Sequence, residues 1–70
     1  MLSKQIASLR KESRMSQSQL AAELKVSPST IGMYEQGRRI PDIHTLISMA
    51  RLFGVSLDYL ITGEEFTYPK

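Results

Sequence analysis

The chain has no cysteine, which excludes disulfides and thiolate metal sites. It has one histidine, His44, and no clustered carboxylates. A G-x-S-x-G turn and a phosphate-cradling glycine loop are both missing. Catalysis, a metal site and a bound cofactor are therefore not expected, and His44 reads as a solvent-facing residue in the first turn of a helix. There is no leader-like segment and no apolar run of membrane length, so a soluble, cytoplasmic chain without a membrane partner is expected. Repeats, linkers and low-complexity segments are absent as well. Seventy residues make one domain, and a core of that size supplies roughly 3–5 kcal/mol of stability.

What is present is unevenly placed. The net charge is +2, but residues 1–40 carry seven cationic side chains against three anionic ones. Residues 41–70 carry two against four. A basic half joined to an acidic half predicts a polyanion on one side only.

The stretch from Ser16 to Gly37, SQSQLAAELKVSPSTIGMYEQG, holds the strongest local signals. Ser16 is a helix cap and Gln19, three residues on, completes a capping box. Met15 and Leu20 flank that cap as a hydrophobic staple. Leu20, Ala21 and Leu24 form one apolar stripe. Ser27 then caps a second helix, Pro28 takes its first position, and Val26 pairs with Ile31 as a second staple. Gly37 stands just past its end. Two helices this short do not stand alone in water, so other elements must cover their apolar sides. The pattern is a helix-turn-helix.

The flanking segments supply that cover. Residues 2–14 predict a first helix with Leu2, Ile6 and Leu9 on one face. Gly37-Arg38-Arg39-Ile40-Pro41 is a basic loop. Asp42 caps a fourth helix, Ile43 to Phe53, whose wide stripe of Ile43, Leu46, Ile47, Met49, Ala50 and Phe53 predicts burial. Ser56 caps a fifth, Leu57 to Thr62, with Val55 and Leu60 as a third staple and Gly63 as its stop. The expected core is Ile6, Leu9, Leu20, Ala21, Leu24, Val26, Ile31, Leu46, Ile47, Ala50, Phe53, Val55, Leu57 and Leu60, with Tyr34 at its margin. Residues 1–63 are expected to form the domain and 64–70 a tail.

Leu20-Ala21, Val26-Ser27, Ile31, Tyr34-Glu35, Gly37, Pro41 and Phe53-Gly54-Val55-Ser56 together resemble the phage-repressor, Xre/Cro-type, helix-turn-helix family of transcriptional regulators. The resemblance covers about residues 4–63. It implies an all-α, five-helix, lambda-repressor-like DNA-binding domain that acts as a dimer on a palindromic operator. It implies that the helix from Pro28 to Gln36 reads the major groove, and that Gln17 touches the backbone or a base edge. It places Gln36, Arg38 and Arg39 near phosphates, and matches Arg10 and Glu35 to a salt bridge between the first helix and the recognition helix. Three positions depart from the family: Lys25 stands where glycine is usual, Met33 where a long polar or basic residue is common, and Gly32 where a larger side chain is frequent.

With Ile31, and in part Tyr34 and Glu35, turned inward, helical spacing leaves Pro28, Ser29, Gly32 and Met33 facing outward. None of these grips a base edge bidentately. Ser29 donates or accepts, Pro28 and Met33 can touch a thymine methyl, and Gly32 admits a close backbone approach. The expected base contacts are thus Gln17, Pro28, Ser29, Gly32 and Met33, reading shape as much as hydrogen bonds. Phosphate contacts are expected from Arg38 and Arg39, then Arg10, Arg14 and Lys25, with neutral help from Ser16, Thr30 and Gln36. One domain reads few base pairs, so a homodimer on double-stranded DNA is expected, and Tyr59, Ile61, Phe66 and Tyr68 are its expected contacts. A partner-controlled module, antitoxin-like or held by a protein antagonist, is the alternative.

Overall fold

The structure, a computed structural model, describes residues 2–64. Five helices follow one another: α1 (Leu2–Glu12), α2 (Gln17–Leu24), α3 (Pro28–Glu35), α4 (Ile43–Phe53) and α5 (Leu57–Thr62). No strand occurs among the described residues. Four of the five begin with the expected side-chain caps. Ser16, Ser27, Asp42 and Ser56 all hold extended backbone and accept from the N–H of Gln19, Thr30, Thr45 and Tyr59 respectively. At Ser16 the capping box closes in both directions, with Gln19 Oε1 2.7 Å from the Ser16 N–H. At Asp42 the bond from the Thr45 backbone, then that residue's side chain, holds the carboxyl below its ordinary range.

The helix ends share one device. In α1, α2, α3 and α4 an N–H two or three residues past the end reaches back to the last full turn: Met15 to Arg10, Val26 to Ala21, Arg38 to Met33 and Val55 to Ala50. The residue before each of these N–H groups takes left-handed backbone. Gly37 and Gly54 do so at φ 73° and 68°, and Arg14 and Lys25 do so at φ 58°. Arg14 therefore ends α1 at Glu12, two residues earlier than the expected end at 14, because its left-handed backbone cannot continue the helix. α3 likewise stops at Glu35, one residue before the expected end, with Gln36 as its cap.

Each helix contributes one completely buried side chain: Ile6, Leu20, Ile31, Met49 and Leu60. Leu9, Ala21, Tyr34, Leu46 and Ala50 complete the buried cluster. Burying an aliphatic side chain of this size is worth about 1.5–3 kcal/mol, so the five helices are held by one shared centre rather than by their own propensity. α1 lies against α3 and α5, α2 against α3 and α4, and α4 against α5. Leu24, Val26, Phe53, Val55 and Leu57 are half-buried and pack on the cluster instead of belonging to it. Two expectations shift on α4. Met49 lies three residues from Leu46 and four from Phe53, so it shares their face and sits at the centre of the core. The stripe turns toward Met49, which leaves Ile47 half-buried and Ile43 56% exposed. Tyr34, expected at the margin, is fully in the core. His44 is exposed.

Candidate nucleic-acid interface

α2 and α3 are joined by Lys25, Val26 and Ser27, and the turn is made at Lys25 with φ 58° and ψ 41°. The chain then re-enters a helix at once, because Ser27 supplies the cap and Pro28 needs no N–H partner. Ile31 and Tyr34 point inward and anchor α3 on the core. Pro28 and Ser29 are exposed, and Gly32 and Met33 are half-buried. The outward set expected from helical spacing therefore lies together on the free side of α3. Part of its hydroxyl chemistry is engaged locally: Ser27 Oγ lies 3.0 Å from Ser29 Oγ and 2.8 Å from Thr30 Oγ1.

Behind this face lies an ion pair. Arg10 Nε donates to Glu35 Oε2 at 2.6 Å, Nη2 to Glu35 Oε1 at 3.2 Å, and Nη1 to the Met15 carbonyl at 2.8 Å. The two side chains are only 12% and 10% exposed. The pair ties α1, the α1–α2 loop and the end of α3 into one unit. Burial pushes the Glu35 carboxyl up, but the hydrogen bonds from Arg10 and Gln17 and the charges of Arg10 and Lys11 outweigh it and hold the carboxyl below its ordinary range. The hydrogen bond to Glu35 raises the Arg10 guanidinium against the opposing effect of burial. All three guanidinium nitrogens donate within the protein, so Arg10 is the anchor of this unit.

Gln17 joins the same network, with Nε2 donating to Glu35 Oε1 at 3.1 Å. This link spans two helices and has no counterpart in the local pattern of the sequence. Gln17, Gly32 and Gln36 are neighbours on the surface: a Cβ added to Gly32 meets Gln17 Oε1 and Gln36 Nε2 at 4.0 Å each. Ser16, Lys25, Gln36, Arg38 and Arg39 are exposed around this patch of chain, as is Arg14. Thr30 is half-buried.

The residues expected at a dimer contact divide. Tyr59 is half-buried against the core, and its backbone carbonyl accepts from Gln5 Nε2 at 3.0 Å. Ile61 is 40% exposed. Phe66 and Tyr68 lie outside the described residues. Larger apolar exposure occurs elsewhere, at Ile40 (78%) and at Ile43. Among the described residues no group of acidic, histidine or cysteine side chains is placed to hold a metal ion, and no helix is long and apolar enough to cross a membrane.

Comparison with known proteins gives a consistent result. The Helix-turn-helix family matches residues 6–60. The uncharacterized HTH-type transcriptional regulator YqaE of Bacillus subtilis is 38% identical over 64 residues, covering 91% of this chain and 55% of that protein. A multiprotein-bridging factor 1 from Candida glabrata is 42% identical over 67 residues, covering 96% and 44%. The HTH-type transcriptional activator BcrR of Enterococcus faecalis is 37% identical over 57 residues, covering 81% and 28%. The chain thus spans about half or less of these relatives. Among solved structures, the P22 c2 repressor in complex with a synthetic operator superposes with a TM-score of 0.85 at 25% identity, covering 91% of this chain and 97% of the repressor chain. A transcriptional regulator from Listeria innocua superposes with a TM-score of 0.86 at 28% identity, covering all of this chain and 65% of that one.

Proposed function

This chain belongs to the helix-turn-helix family of transcriptional regulators, and we propose that it binds double-stranded DNA sequence-specifically and represses transcription from a palindromic operator as a homodimer. One observation carries the reading: α3 presents Pro28, Ser29, Gly32 and Met33 outward while Arg10 and Glu35 clamp it to α1, on a fold matching that of a repressor bound to its operator. In this reading residues 1–63 are the DNA-binding domain. α3 enters the major groove, and Gln17 and the outward face of α3 meet base edges. Arg38 and Arg39 on the basic loop, with Lys25, Ser16 and Thr30, meet phosphates. Two copies are needed because three or four side chains read too few base pairs for a unique site. Ile61 with the 64–70 tail is the contact we assign to the second copy. The place of action is the cytoplasm.

A second reading has its own support. The likeness to a multiprotein-bridging factor, together with the exposure of Ile40 and Ile43, favours a domain whose regulation runs through another protein.

A fluorescence-anisotropy titration separates the two. A duplex from upstream of the protein's own gene is compared with a scrambled duplex of equal length at several salt concentrations. Cooperative binding to the first duplex alone is the expected result. Equal, weak binding to both overturns the self-operator reading and favours the partner-controlled one.

A further inference from the structure

Gln17 has its amide orientation set by chemistry. The Glu35 carboxylate, charged and already gripped by Arg10, only accepts hydrogen bonds. Gln17 must therefore turn its amide nitrogen inward, 3.1 Å from Glu35 Oε1, and its oxygen Oε1 becomes the outward end. That oxygen lies at the edge of a gap on α3 where Gly32 has no side chain. On the other side of the gap is Gln36, an exposed residue whose amide makes no hydrogen bond of its own among the described residues. Both amides lie 4.0 Å from the position a Gly32 Cβ would take, one with its oxygen and one with its nitrogen nearest.

From this we infer that Gln17, held by Glu35, reads the amino group of an adenine in the major groove, with Gln36 donating to the same base across Gly32. The match follows from the base edges. Adenine offers an N6 donor beside an N7 acceptor, which complements an amide oxygen beside an amide N–H. Guanine and thymine place an acceptor, O6 or O4, where Gln17 Oε1 needs a donor. Cytosine offers its N4 donor but has no ring acceptor next to it for Gln36. Gly32 is what allows the base that close. Glu35 acts here as a positioning residue: it touches no DNA and fixes which end of Gln17 does.

The inference rests on the major-groove reading above, and its test keeps the two apart. The full chain selects from a pool of duplexes with a randomised central segment, in parallel with Gln17→Ala and Glu35→Gln. Gln17 is exposed, so its truncation leaves the fold intact, and the Glu35 variant is assayed at a temperature where its circular dichroism is native. The expected result is a motif with an invariant adenine in each half-site. Replacing that base by unsubstituted purine, which lacks the amino group, weakens the parent chain about tenfold and Gln17→Ala hardly at all. Glu35→Gln loses the adenine preference at that column because its own amide can hold Gln17 either way round. An unchanged motif in Gln17→Ala, with affinity lowered equally for every sequence, overturns the inference and makes Gln17 a phosphate contact. An adenine preference retained in Glu35→Gln overturns the positioning role. A pool that shows no enrichment with the parent chain overturns the inference together with the DNA reading beneath it.

Discussion

Replacing Arg10 by methionine is expected to cost this domain most of its stability. Methionine keeps much of the stem and its packing but removes every polar contact of the guanidinium. Glu35 is then left 10% exposed with only Gln17 as a hydrogen-bond partner, and the Met15 carbonyl loses the donor at 2.8 Å. Breaking a buried pair by removing one partner costs roughly 3–5 kcal/mol, because the remaining charge is desolvated without compensation. A domain of this size holds roughly 3–5 kcal/mol in total. At about 4–8 °C per kcal/mol, the melting temperature should fall by at least about 12 °C, enough to leave much of the chain unfolded near body temperature. Thermal denaturation followed by far-UV circular dichroism measures this directly. The pH dependence carries the sign of the argument. In the parent chain the folded state holds the Glu35 carboxyl low, so its contribution is present above the unfolded carboxylate range and disappears as pH falls through the folded value. In Arg10→Met the hydrogen bond and charge of Arg10 are gone, leaving Gln17 and Lys11 against burial, so the folded value moves up and this pH-dependent contribution shrinks. The double variant Arg10→Met/Glu35→Leu should recover most of the loss, since an apolar pair of similar volume carries no desolvation cost. A melting temperature for Arg10→Met within about 2 °C of the parent refutes the reasoning.

Three further outcomes follow from the structure. Lys25→Gly relieves left-handed backbone at φ 58° and should raise stability by about 1 kcal/mol in a thermal melt, while weakening DNA binding through the lost cation. Met49→Ala empties the centre of the core and should cost about 2–5 kcal/mol in a urea titration, although methionine is the most forgiving of core residues. Arg38→Ala and Arg39→Ala should leave the melt nearly unchanged and each reduce the slope of log affinity against log salt by about 0.9, provided each residue neutralises one phosphate.

Most of the fold is legible in the sequence because it is encoded over three or four residues at a time. Ser16 with Gln19, Ser27 with Pro28, Asp42 before Ile43 and Ser56 before Leu57 announce four helix starts, and the α4 and α5 boundaries coincide with the expected ones. The errors have the opposite character. Arg14 has no glycine to mark the end of α1. Its left-handed turn is imposed by the way α1 and α2 must meet, and a local pattern has no access to that. Met49 falls on the expected stripe of α4, but nothing within one helix shows that the stripe centres on it and not on Ile43 or Ile47. The centre is set by where α2 and α5 lie.

The candidate site divides along the same line. That Pro28, Ser29, Gly32 and Met33 face outward follows from helical period once Ile31 is inward. The Arg10–Glu35 pair joins residues 25 apart, and only the family resemblance brings the two together before a structure does. The bond from Gln17 to Glu35 had no such guide: the resemblance points Gln17 at DNA, but only the structure sets it beside the carboxylate. The structure marks where a local rule is broken, and at Lys25 the sequence marks it too. Two of the four similar helix ends use glycine, and the other two use Arg14 and Lys25, each at a cost of about 1–2 kcal/mol that a glycine would spare. Both exceptions are basic, exposed, and at either end of α2. In a domain with so little stability to lose, strain retained at two cationic positions is a cost of keeping charge there, and it accords with the proposed contact of α2 and α3 with a polyanion.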